Sequence, residues 1–76
     1  MQHAANMPRP THTQALDYAL GLERQWGIAH SVIEGSARDA DHDGLPLVKV
    51  TTHRLDGGRG EWDVWIEPDG TIYGEC

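Results

Sequence analysis

Seventy-six residues suffice for one domain with a thin core, and twelve acids against six bases give a net charge of −6. The single cysteine, Cys76, excludes an internal disulfide framework. The acidity argues against direct binding to nucleic-acid phosphates or anionic lipid, and serves either plain solubility or attraction of a positively charged partner.

Residues 1–10 are polar, contain Pro8 and Pro10, and hold no apolar run. They read as a flexible tail, disordered or loosely docked, without a signal peptide or membrane span, and a cytoplasmic setting is expected. Residues 11–76 are expected to form a single α+β domain. Thr11 and Gln14 have capping-box spacing, so a helix should start there. Ala15, Ala19, Leu22 and Trp26 fall on one helical stripe, with Leu16 and Leu20 beside it. Asp17, Glu23, Arg24 and Gln25 are expected to face away. Gly27 is placed as the stop. Gly21, costly in mid-helix, suggests close approach to the sheet.

Residues 28–38 read as a first strand, with Gly35 as a bulge or bend. The segment Asp39-Ala40-Asp41-His42-Asp43-Gly44 reads as a turn. In residues 47–54, Val48, Val50 and Thr52 alternate with Lys49, Thr51 and His53, the period of a second strand. A glycine-rich loop over residues 55–60 leads into Glu61-Trp62-Asp63-Val64-Trp65-Ile66-Glu67. Here Trp62, Val64 and Ile66 alternate with Asp63, Trp65 and Glu67, which predicts a half-buried third strand. Pro68-Asp69-Gly70 is a tight turn, and residues 71–74 form a short last strand. Short connections make neighbouring strands antiparallel. The predicted fold is one N-terminal helix packed on a four-stranded antiparallel β-meander. Its expected core is Leu22, Trp26, Val48, Val50, Trp62, Val64, Ile66 and Ile72.

Asp43-Gly44-Leu45-Pro46, Asp56-Gly57, Trp62-x-Val64-x-Ile66 and Asp69-Gly70-Thr71-Ile72-Tyr73, behind an alanine- and leucine-rich helix, resemble a PepSY-type module. That resemblance implies a helix on a meander with an inhibitory or regulatory role. In size, acidity and lack of a catalytic signature, the chain also resembles small phage-encoded anti-CRISPR inhibitors. This second likeness carries over no residue.

Asp39-x-Asp41-x-Asp43-Gly44 opens like an EF-hand calcium loop, in which alternate carboxylates curl round one ion. Position twelve of that loop is Val50, where a bidentate glutamate is needed, and position eight is Pro46. Asp39, Asp41 and Asp43 therefore form a secondary calcium candidate beside the plainer reading as a solvated turn. The histidines have no zinc-site spacing. Ser31, Ser36 and Cys76 lack a nucleophile elbow, and the glycine-rich loop lacks the Lys-Ser/Thr of a P-loop. No enzymatic activity and no cofactor are expected.

Trp65 carries the main functional expectation. Strand parity turns it away from the helix, between Asp63 and Glu67, and the same parity turns Tyr73 and Glu75 outward. From Asp56 onwards six acids face one arginine, a net −5. An aromatic anchor within an acidic rim suits a protein partner with a basic surface. The predicted partner-binding residues are Asp63, Trp65, Glu67, Tyr73 and Glu75. Stacking of Trp65 on Tyr73 and a homodimer through the exposed sheet face are the alternatives.

Overall fold

The computed structural model describes residues 8–27 and 32–76, with Val32 and Ile33 described by backbone alone. Its elements are α1 (His12–Gln25), β1 (Val32–His42), β2 (Leu45–Arg54), β3 (Arg59–Ile66) and β4 (Ile72–Glu75). The strands form one antiparallel sheet in the order β1-β2-β3-β4, and α1 lies across one face. This is the expected α+β architecture.

The helix begins where the capping box places it. Thr11 is extended, its hydroxyl accepts from the Gln14 N–H at 3.0 Å, and its own N–H donates to Gln14 Oε1 at 2.9 Å. Two otherwise orphaned donors are thereby satisfied. At the other end Gly27 takes φ +76 and donates its N–H to the Arg24 carbonyl at 3.0 Å. This left-handed stop suits glycine, which has no Cβ to clash.

The first hairpin departs from the sequence reading. The start of the predicted strand, residues 28–31, lies outside the described residues. At its other end β1 runs on to His42, so Asp39 and Asp41 are strand residues rather than a turn. Asp43 and Gly44 make the turn alone, at φ 51 and φ 84. Positive φ at both positions marks the two-residue hairpin turn whose twist matches the flanking strands. It fixes His42 opposite Leu45, and the ladder continues through Ala37↔Val50. The register irregularity falls between Val32 and Glu34, just before Gly35.

Gly35 serves close approach instead, since a Cβ there would lie 2.9 Å from Leu16 Cδ2. Gly21, expected to do this, has nothing within 4 Å of a built Cβ.

Ala15 and Ala19 press onto Val48, Val50, Trp62 and Val64, all buried. Leu16, Tyr18, Leu22, Ala37 and Ile72 close the edges. Each buried valine contributes about 1.5–3 kcal/mol over an exposed one. Two residues of α1 and its cap reverse their expected roles. Trp26, expected in the core, is 57% exposed, its ring tilted on Trp62 with centroids 5.4 Å apart. Glu23, expected outside, is 1% exposed. It lies one helical turn beyond Ala19, on the same buried stripe.

Residues 8–10, assigned by sequence to the flexible tail, are fastened to the first hairpin. The Arg9 guanidinium donates to the carbonyls of Ala40 and Leu47 and pairs with Asp41 at 2.9 Å. Pro10 is buried. Residues 1–7 lie outside the described residues. No helix among the described residues is long and apolar enough to cross a membrane.

Candidate binding face

With α1 on one side, the sheet presents a second face that no described element covers. Its composition follows from register, because directly paired residues share a face. Arg38 pairs with Lys49, Lys49 with Asp63, and Asp63 with Glu75. One row across all four strands therefore reads cation, cation, anion, anion. At its centre Lys49 Nζ donates to Asp63 Oδ1 at 2.7 Å.

The next row, nearer the Asp43-Gly44 turn, is apolar. Ala40 pairs with Leu47 on one side of the sheet, and Trp65 with Tyr73 on the other. Leu47 is 3% exposed, and it shares a groove of 310 Å³ with Trp65, Asp63, Glu75, His42 and Leu45. On the far side of the charged row, Arg59 Nη2 donates to Glu61 Oε2 at 2.8 Å.

The five residues expected to bind a partner are thus brought together. Asp63 faces Glu75, and Trp65 faces Tyr73, on neighbouring positions of β3 and β4. The Trp65 and Tyr73 rings meet edge to face, with centroids 5.4 Å apart. The Trp65 indole N–H donates to Glu67 Oε2 at 2.6 Å, which draws Glu67 onto the same face. Trp65 is consequently half-buried by its own neighbours, and Tyr73, 50% exposed, presents more aromatic surface. Asp63 and Glu67 each hold an internal partner, whereas a carboxylate's several acceptor positions leave capacity for more. The sequence reading missed the cationic half of the row. Alternation already turned Lys49 away from the core, but its place and that of Arg38 beside Asp63 became legible only with the register.

The aspartates of the calcium candidate do not curl round a common point. Asp39 and Asp41 lie along the extended β1, on its helix-facing side. Asp39 Oδ1 is 2.8 Å from His12 Nε2, and Asp41 pairs with Arg9. Only Asp43 sits in the turn. The strand continues through these residues because the two-residue turn needs only Asp43 and Gly44. Among the described residues no three His, Cys, Asp or Glu side chains cluster as a metal site.

A buried polar cluster on the helix side also escaped the sequence reading. Glu23 Oε2 accepts from the Trp62 indole N–H and from the Thr52 hydroxyl, both at 2.9 Å. Arg54 Nη2 stands 3.8 Å away. Gly60 belongs to the same cluster, since a Cβ there would lie 2.7 Å from both Glu23 Oε2 and Thr52 Oγ1. These bonds compensate the burial of Oε2, while Glu23 Oε1 and Arg54 Nε are buried without a partner among the described residues.

Fold and face together define a helix-backed antiparallel α+β domain with one open, charge-patterned sheet surface. Comparison with protein-family models, with curated proteins and with solved structures finds no match to this chain.

Proposed function

We propose that this is a small non-enzymatic binding protein that inhibits a basic protein partner by occlusion, in the manner of an anti-CRISPR inhibitor acting in the cytoplasm. The observation that carries the reading is the Trp65–Tyr73 pair set directly beside Asp63, Glu67 and Glu75 on an uncovered sheet face. The aromatic pair supplies rigid apolar contact at little entropic cost, since each ring has few torsions to fix. The acids steer a cationic surface inward and form charge-assisted hydrogen bonds to its arginines or lysines. A partner that itself grips nucleic acid presents such a surface, and the acidic edge would occupy its groove.

The test is a double variant, Trp65→Ala with Asp63→Lys, measured against the partner captured by the wild-type protein. The expected result is a loss of affinity of at least a hundredfold, with the circular dichroism of the folded domain retained. A folded double variant that binds as tightly as wild type would remove the reading. Binding that does not weaken between low and high salt would contradict the electrostatic part of it.

A further inference from the structure

Partner docking uses the acidic half of the outer face, but the face as a whole is patterned for a second copy of itself. Consider two sheets packed face to face and related by a two-fold axis lying between them, parallel to the strands and midway between β2 and β3. The rotation sets β1 over β4 of the other copy and β2 over β3. The row Arg38, Lys49, Asp63, Glu75 then lies over Glu75, Asp63, Lys49, Arg38. Every cation meets an anion. An axis perpendicular to the strands through that row would set Arg38 over Arg38 and Glu75 over Glu75, so charge selects the first arrangement.

The apolar row agrees independently. Under the same rotation Trp65 comes over Leu47, already covered by its own neighbours at 3% exposure, and the half-exposed Tyr73 comes over Ala40, so the rings supply the apolar contact. Sheets packed in this way keep their strands within about 30° of each other and sit about 10 Å apart. With β1 over the four-residue β4 and β2 over the eight-residue β3, the overlapping strands at about 4.8 Å spacing present roughly 380 Å² in flat projection. That is below the roughly 800 Å² per partner of a standard interface, the size of a weak, concentration-dependent association.

We infer that the outer sheet face closes on a second copy of this chain as a two-fold dimer, with Arg38 of each protomer against Glu75 of the other. The inference rests on the same reading of this face as the binding surface. It adds that a basic partner must displace the second copy, so that the free protein is held in a latent form.

The test is sedimentation equilibrium of the purified full chain, with no partner present, between micromolar and millimolar concentration. Wild type is expected at twice the 8.4 kDa chain mass. Arg38→Glu sets like charges together at both contacts and should weaken dimerisation at least tenfold. Glu75→Lys should do the same. In a mixed dimer of the two variants, the introduced acid of one protomer faces the introduced base of the other. The second contact keeps Arg38 against Glu75, so the mixture should recover the dimer. Both positions are exposed, and thermal melts by circular dichroism establish that each variant is folded. A wild type that stays at the mass of one chain to millimolar concentration would overturn the dimer and leave partner binding standing. Dimeric single variants, or folded monomeric variants whose mixture stays monomeric, would overturn the assigned geometry.

Discussion

Glu23 accepts the indole N–H of Trp62 at 2.9 Å across 39 positions of sequence, with both side chains buried. The bond fastens the last turn of α1 to β3, and Thr52 on β2 donates to the same oxygen. Glu23→Ala leaves the indole and the hydroxyl without their acceptor, and the Arg54 guanidinium 3.8 Å away without its counter-charge. The expected loss is about 3–5 kcal/mol, the cost of breaking a buried charged network by removing one member. Glu23→Gln keeps an acceptor and most of the volume and should lose less. Urea denaturation of both variants decides it, and an alanine variant within about 0.5 kcal/mol of wild type would mean the network contributes no more than an ordinary surface position does.

Two glycine-to-alanine substitutions should have opposite signs. At Gly60 the new methyl would meet Glu23 Oε2 and Thr52 Oγ1 at 2.7 Å, and relieving that contact should cost about 1–3 kcal/mol. At Gly21 the space is open and the backbone is helical, so alanine should stabilise by about 1 kcal/mol. Melting temperatures of the two variants, measured side by side, should fall on either side of wild type.

The last turn should register pH. Asp69 Oδ1 accepts from the Thr71 N–H at 2.9 Å, and its hydrogen bonds to the backbone and side chain of Thr71 hold its carboxyl below the usual 3.8. A carboxyl whose folded value is depressed contributes stability that is fully present above 3.8 and lost as pH falls through the lowered value. NMR titration of the Asp69 carboxyl should therefore give a midpoint below 3.8. Asp69→Ala should flatten the acid limb of the stability profile in that window. A midpoint at or above the usual value would remove the hydrogen bond from the account.

How much of this was legible in the sequence depends on which physical signal each residue carried. Thr11 with Gln14, and the alternation of Trp62, Val64 and Ile66, are local signals, and the structure follows them. Strand parity also placed Trp65 outward, and the direct Trp65↔Tyr73 pairing keeps it there. The Asp39–Gly44 segment was misread because its composition suggests a turn. The Asp-Gly pair at its end is itself a two-residue hairpin signal that lets the strand run through the earlier aspartates. Glu23 was misread because charge was weighed above position. It lies on the buried stripe, and its partners Thr52 and Trp62 come from strands distant in sequence. Parity turned Lys49, Asp63 and Glu75 outward, but their alignment with Arg38 in one row needs the register, which links four separate strands.

The measurement that bears most directly on the binding face is a pull-down from lysate of the source cell with three folded baits: wild type, Trp65→Ala and Trp26→Ala. Trp26 is the more exposed tryptophan, but it lies at the helix end, its ring tilted against the inward-facing Trp62, and serves as the control. A partner retained by wild type and Trp26→Ala and lost by Trp65→Ala is the expected result, and that partner should carry a basic surface and elute with salt. A partner lost by Trp26→Ala and kept by Trp65→Ala would place binding at the helix end and contradict the assignment of the sheet face.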